Sequence, residues 1–381
     1  MREAAIVGVA ESDLGVTGRS ALQLQAQAVT RALADAGLRL SDVDGLATAG
    51  IERFPAIQVA EYLGMAPRWT DTTFSGGSSF EVMLVHAAAA ITVGHADVVV
   101  ISYGSDQRSA ASRRLGGVVS PKIPEAQFDS PYGVLNPLSL YAMATQRHMH
   151  EFGTTSEQLA QVAVAAREWA LRNPVAYRHD DGRLTVDAVL SSPLISSPLH
   201  VLDCCLVTDG GGAVVLTSLD RARDLTTAPV RLLGHGEATT HHGMSQVPNL
   251  TRSGAYDSGQ AAFAGAGLTP SEVDVIQVYD SFSITVLLTL EGLGFCPTGE
   301  SGPFVEEGHL RPGGSLPCNT NGGGLSYCHP GMFGILLLIE AVRQLRGEAE
   351  ERQVDGAEVA LCHGTGGILS SHATVILGVD R

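Results

Sequence analysis

The sequence predicts an α/β protein built from two duplicated halves, each of βαβαβ type. Strand-like and helix-like apolar patterns alternate along the chain. The segment Leu33-Ala34-Asp35-Ala36-Gly37-Leu38-Arg39-Leu40-Ser41-Asp42-Val43-Asp44 recurs as Phe263-Ala264-Gly265-Ala266-Gly267-Leu268-Thr269-Pro270-Ser271-Glu272-Val273-Asp274. A glycine turn precedes a long apolar helix twice, at Gly76-Gly77 and at Gly322-Gly323-Gly324.

The first half opens with a strand, Ala4 to Val9, and its copy of the repeat ends a helix at Gly37, a C-cap glycine. A strand follows over Gly45 to Thr48. The turn Asp71-Thr72-Thr73-Phe74-Ser75-Gly76-Gly77-Ser78-Ser79 leads into an apolar helix, Phe80 to Val93, with Ser78 and Ser79 as N-caps. Then comes a strand over Asp97 to Ser102. Residues 105–198 read as an insertion with two amphipathic helices, Leu138 to His150 and Ser156 to Ala170, expected to face a ligand. A strand over Gly212 to Thr217 closes this half, residues 1–227. The second half, 228–381, repeats the plan: a strand over Val230 to Gly234, a helix capped at Gly267, a strand over Val275 to Tyr279, a helix near Met332 to Leu345, and a strand over Glu358 to His363. Such alternation predicts a mostly parallel sheet covered by helices.

A chain of 381 residues with 44% hydrophobic content can bury a large core. No apolar run is long enough to span a bilayer, and the start reads as a strand rather than a signal peptide, so a cytoplasmic enzyme is expected. The formal net charge of −16 argues against nucleic acid and anionic membrane as partners. A phosphate-bearing ligand would need a local basic patch, for which Arg108, Arg113, Arg114 and Lys122 are the densest group; a solvated loop is the alternative. The six cysteines show no C-x-x-C spacing and fit reduced thiols. Adjacent His241 and His242 cannot both face one metal from a regular strand or helix, so a metal site is not expected. Lys122 is the only lysine, in a proline-flanked segment, which leaves little room for Schiff-base chemistry.

A glycine-rich turn into a helix N-terminus favours an anion and is a common mount for a thiolate. Here Phe74 occupies that mount. Chemistry without an acyl-cysteine is therefore expected.

Four further patterns give the chain a family resemblance. Leu202-Asp203-Cys204-Cys205-Leu206-Val207-Thr208-Asp209-Gly210-Gly211, Tyr279-Asp280-Ser281-Phe282, Asn319-Thr320-Asn321-Gly322-Gly323 and His329-Pro330 resemble segments of the thiolase superfamily. The branch is that of the sterol carrier protein X and lipid-transfer-protein thiolases. The resemblance implies a layered α/β/α/β/α sandwich over nearly the whole chain. It also implies a homodimer core that binds a small OB-fold, often zinc-ribbon, partner. Both cysteines that the branch uses are replaced, the nucleophile by Phe74 and the acid/base by Ser281, and the histidine of His-Asp-Cys-Phe becomes Tyr279. The chain thus resembles the cysteine-less members that act as aldolases in steroid side-chain breakdown. Retro-aldol cleavage of a β-hydroxyacyl-CoA to a ketone and a short acyl-CoA is the implied activity, with no cofactor beyond the coenzyme A of the substrate. The rivals are a degenerate acyl-CoA-binding scaffold subunit and an acyltransferase using Cys328 or Cys362.

For that reaction His329 is expected to donate to the thioester oxygen, and Tyr279 to act as base or hydrogen-bond donor. Tyr327 and His363 are second candidates, Tyr327 as proton donor to the enolate carbon. Asp280 and Asn319 are expected to orient neighbours or cap turns. Gly76, Gly77, Ser78, Asn319, Gly323 and Gly366 are the expected substrate-binding positions. Each of these polar residues has an ordinary structural role as its alternative.

Overall fold

The computed structural model describes residues 3–50, 53–111, 120–134, 137–225 and 227–380. Of the basic patch, Arg113 and Arg114 lie outside the described residues. The principal strands are β1 (Ala4–Glu11), β2 (Gly45–Thr48), β3 (Trp69–Asp71), β4 (Val98–Ser105), β5 (Gly210–Ser218), β6 (Val230–Thr239), β7 (Val275–Val278), β8 (Val359–Gly366) and β9 (Ser371–Val379). The principal helices are α1 (Ala21–Asp35), α2 (Pro55–Leu63), α3 (Ser79–Thr92), α4 (Leu138–Phe152), α5 (Ser156–Ala170), α6 (Ala255–Ala266), α7 (Ser283–Gly292) and α8 (Gly334–Arg346).

The strands form one sheet in the order β3-β2-β4-β5-β1-β6-β9-β8-β7. From its centre outwards the order β1-β5-β4-β2 is matched by β6-β9-β8-β7, the duplication in three dimensions. Within the sheet, the described residues of the two halves pair through Ala5 and Ile6 of β1 with Arg231 and Val230 of β6. The sheet is mixed rather than mostly parallel. Only β2–β3, β2–β4 and β7–β8 run parallel. For β8–β9 the cause is local: the few residues joining them cannot make the long crossover that a parallel pair requires.

Helices α3 and α8 touch strands of both halves and each other, so they fill the space between the two half-sheets. Helix α1 covers the outer face of the first half and α6 that of the second. The layers are therefore α/β/α/β/α, as expected. Every residue of α8 from Gly334 to Val342 is buried, as an all-round apolar helix must be. Gly37 and Gly267 follow α1 and α6 at φ of +68°, where a side chain would be strained. Among the described residues no helix is long and apolar enough to cross a membrane.

Candidate active site

Strand β7 lies at the sheet edge, and its C-terminal end delivers Tyr279, whose N–H donates to the His363 carbonyl of β8 at 3.0 Å. Ends of strands beside helix N-termini are where α/β sheets bind ligands. The Tyr279 hydroxyl lies 2.8 Å from His329 Nε2 and 3.4 Å from the Gly331 carbonyl oxygen. Its ring stands edge-on to those of His329 and Phe333, at 5.6 and 5.9 Å.

Two glycine turns make room for this ring. A Cβ on Gly77 would sit 2.0 Å from Tyr279 Cε2, so only glycine fits there. A Cβ on Gly366 would sit 1.6 Å from the Ser75 carbonyl oxygen, so the turn before α3 and the end of β8 touch backbone to backbone. These contacts bring Gly76, Gly77 and Gly366 to the Tyr279 end of the sheet. Ser78 stands at the N-cap position of α3 but makes no capping hydrogen bond, and Ser79 is the first residue of the helix. A tight turn over Gly76–Ser78 runs directly into α3, and Ser78 already has helical backbone angles. The Ser78 hydroxyl bonds to the Ser75 carbonyl and the Ser371 hydroxyl, and that of Ser79 donates to the Gly76 carbonyl. Phe74 is half exposed on the same turn.

His329 is carried by a one-turn π-helix, Gly323–Tyr327, and the residues after it. Asp280 holds that turn: its carboxylate accepts from the Gly324 N–H at 2.6 Å and the Leu325 N–H at 3.1 Å. Gly323 leaves the room, since a Cβ there would lie 2.1 Å from Asp280 Oδ2. Asn319 accepts from the Val278 N–H of β7 at 2.8 Å and so ties the turn to the strand bearing Tyr279. Asp280 and Asn319 thus orient neighbours, as the sequence suggested. Burial raises the Asp280 carboxyl to about 7, against hydrogen bonds that lower it.

Burial lowers His329 to about 4, so the ring is neutral near pH 7, and raises the Tyr279 phenol well above its usual value. Backbone groups of His329 itself and of Leu206 raise the ring against that burial. With the imidazole proton on Nδ1, Nε2 carries the lone pair and accepts from the Tyr279 hydroxyl. In that tautomer His329 stands as an acceptor behind Tyr279 rather than as a donor to a thioester oxygen.

The side chains of Tyr327 and His363 are engaged in other hydrogen bonds. Tyr327 is fully buried, and its hydroxyl donates to Glu11 Oε1 at 2.8 Å within the Glu11–Arg343 ion pair. His363 Nδ1 faces the Thr374 hydroxyl at 2.8 Å and Nε2 faces His372 Nδ1 at 3.2 Å, while His372 Nε2 faces the Leu369 carbonyl at 3.0 Å. Both nitrogens of His363 are therefore engaged in a buried chain. Cys328 and Cys362 are fully buried, and burial raises both thiols, Cys328 to about 12, a poor setting for a thiolate. Among the described residues no group of three or more His, Cys, Asp or Glu side chains could hold a metal ion.

One neighbour escaped the sequence reading. Tyr141 of α4 packs its ring on Phe282 at 4.4 Å, and its buried phenol, raised to about 12, lies beside Ser281 and the Leu369 backbone. The insertion therefore does reach the site. Its only signal in the sequence was an aromatic on the apolar face of a helix, which ordinary packing explains equally well.

Residues 236–379 match the thiolase C-terminal domain-like family. The chain is 37% identical to the steroid side-chain-cleaving aldolase of Thermomonospora curvata, over 99% of this chain and 98% of that protein. The chain belongs to the thiolase superfamily. Within that superfamily it is also 38% identical to the 17-hydroxy-3-oxo-4-pregnene-20-carboxyl-CoA lyase of Mycobacterium tuberculosis, with 96% and 97% covered. An acetyl-CoA acetyltransferase of Methanothermobacter thermautotrophicus is 34% identical, with 98% and 99% covered. Among solved structures, the Ltp2-ChsH2(DUF35) aldolase superposes with a TM-score of 0.90 at 36% identity, covering 100% of this chain and 98% of that one. This thiolase-superfamily chain is a carbon–carbon lyase of the aldolase type. Phe74 and Ser281 agree with that, since neither can form or relay an acyl-cysteine.

Proposed function

We propose that this lyase cleaves the side chain of a steroid-like β-hydroxyacyl-CoA by a retro-aldol reaction, and that Tyr279 and His329 act as one base. The 2.8 Å bond between them carries the reading. The β-hydroxyl proton passes to the Tyr279 oxygen as the phenol proton moves to His329 Nε2. The O–H electrons form the ketone, the Cα–Cβ pair becomes a thioester enolate, and a proton returned to Cα yields the shorter acyl-CoA. Neither a phenolate nor an imidazolium is stable alone in so buried a site. Concerted transfer avoids a free phenolate, and the enolate charge appears as the imidazolium forms, so each offsets the other. The N-terminus of α3, behind Gly76 and Gly77, favours the same negative charge. No cofactor beyond the substrate's own coenzyme A enters this scheme.

The solved relative's name, Ltp2-ChsH2(DUF35) aldolase, joins an aldolase to a DUF35 protein, which supports a small OB-fold, zinc-ribbon partner for this protein too. The edge strand β3, followed three residues on by exposed Phe74, supports a homodimer core. The test is an assay of the protein, alone and co-expressed with such a partner, for ketone and short acyl-CoA released in equal amounts from a β-hydroxyacyl-CoA. Thiolysis of acetoacetyl-CoA without any ketone released would reject the reading.

A further inference from the structure

Helix α3 opens with Ser78-Ser79-Phe80-Glu81, the spacing of a capping box, in which a glutamate at the third helical position turns back to the backbone N–H of the N-cap. Glu81 does not turn back. It is fully buried, and neither of its carboxyl oxygens has a hydrogen-bond partner. The side chain enters a gap that two glycines leave open. A Cβ on Gly364 of β8 would lie 2.2 Å from Glu81 Oε2, and one on Gly334, the first residue of α8, would lie 2.7 Å from it. The Gly334 Cβ would also lie 2.2 Å from the Gly77 carbonyl oxygen, so Oε2 and that oxygen are no farther apart than those last two distances together. Gly77 is the residue against which the Tyr279 ring packs. The carboxyl thus lies directly behind the turn at the N-terminus of α3.

A buried carboxylate without a partner is costly, and such a group keeps its proton instead. Burial accordingly raises Glu81 to about 8. Cys362 of β8 faces it, and burial and the Glu81 charge hold that thiol well above its usual value. Burial also raises the phenols of Tyr103 in β4 and of Tyr279 beyond Gly77. These three groups are neutral where the carboxyl ionises. His86, later in α3, is paired with Asp71, and Glu340, the first charged residue of α8, with Arg352. A helix N-terminus favours a negative charge, and a carboxylate behind it opposes that same charge. At about 8 Å and an effective dielectric of about 20, one unit charge weakens the binding of another roughly 30-fold.

We infer that Glu81 is held as a neutral carboxylic acid whose proton keeps the turn at Gly76–Ser78 open to the thioester enolate, and that loss of this proton closes the turn to anions. The inference rests on the lyase reading above. Glu81 acts through the field at the turn and not by contact with the substrate. Two probes isolate that field. S-carboxymethyl-coenzyme A carries a carboxylate next to the place of the thioester, and S-isobutyl-coenzyme A has the same shape without the charge. Both are titrated calorimetrically against the whole protein between pH 6.5 and 9, and the ratio of their affinities cancels the titration of the coenzyme A phosphates. In the wild type the carboxylate probe is expected to lose about five- to tenfold relative to its neutral partner as pH rises through about 8. Glu81→Gln cannot ionise and is expected to remove that loss, while any part due to Asp280 stays in the variant. If Glu81→Gln fails to fold, Glu81→Met, apolar and of similar length, takes its place.

Infrared titration reads the carboxyl without a ligand. The difference spectrum of wild type against Glu81→Gln should show a protonated-carboxyl band that fades through about pH 8. The same pH-dependent loss in the variant overturns the inference, and so does a missing band in a wild type that binds both probes. Binding of neither probe overturns the acyl-CoA reading and this role with it, and the infrared band then still reports a neutral acid, which separates the two failures.

Discussion

Tyr279→Phe removes one oxygen and leaves the packing intact. The ring still fills the space that Gly77 leaves and still stands edge-on to His329 and Phe333. What disappears is the 2.8 Å bond to Nε2, and with it the hydroxyl placed to relay a proton to that nitrogen. His329 Nε2 then becomes a buried acceptor without its donor, a loss of about 1–3 kcal/mol of stability. For a chain longer than 250 residues that is a fall in Tm of less than about 4 °C per kcal/mol, so the variant is expected to fold. General-base catalysis contributes about 10²–10⁴ in rate, or about 3–5 kcal/mol of barrier. The kcat for ketone release should fall by that factor while KM changes only a few-fold, because the hydroxyl acts on the reacting atoms rather than on the coenzyme A handle. The assay is steady-state ketone release, with thermal melting to confirm folding. His329→Ala should be as slow, and the double variant little slower than the worse single one, since the two groups act as a unit. A well-folded Tyr279→Phe enzyme with wild-type kcat refutes the dyad.

Other consequences follow from the same geometry. Iodoacetamide should leave cleavage largely intact, since Cys328 and Cys362 are buried with raised thiols and no cysteine takes part; inactivation prevented by acyl-CoA would restore a cysteine mechanism. Gly77→Ala places a methyl carbon 2.0 Å from Tyr279 Cε2 and 2.5 Å from the Thr365 carbonyl oxygen, so either the ring or the turn must shift; kcat should drop about 10²-fold in a protein that still melts cooperatively, and full activity would remove Gly77 from the site. The neutral state of His329 sets the acid limb of the pH profile. With the ring at about 4, the loss of kcat/KM due to His329 should appear below about pH 4; a midpoint near 6.5 that persists in Asp280→Asn, which removes the carboxyl at about 7, would mean a solvated histidine. The same shift acts on stability. The unfolded chain takes up this proton near 6.5 and the folded one only near 4, so stability is undiminished above about 6.5 and declines as pH falls to 4, by about 3 kcal/mol from this group, measured by urea titration at each pH.

Sequence alone determined the duplicated α/β frame, because periodicity and capping are local: Gly37 and Gly267 ended their helices in both copies, and the repeated segment led into β2 and β7. It also showed at Phe74 and Ser281 that the two expected cysteines are absent, which argued against acyl-cysteine chemistry, since a missing side chain needs no coordinates to be seen. It named Tyr279 and His329 as acting on one thioester, though in separate roles, and gave Tyr327 and His363 a share of the chemistry as second candidates. Tertiary structure decided which of these meet. Tyr279 and His329 are 50 positions apart and become one hydrogen-bonded pair, whereas Tyr327 reaches 316 positions back to Glu11 and His363 turns into the buried chain with Thr374 and His372. The mixed strand directions and the arrival of Tyr141 from the insertion were likewise absent from the local pattern. The physical reason is common to all of them: where a side chain points, and how far burial moves its proton, depends on what packs against it from elements distant in sequence, and no window of neighbouring residues contains those partners.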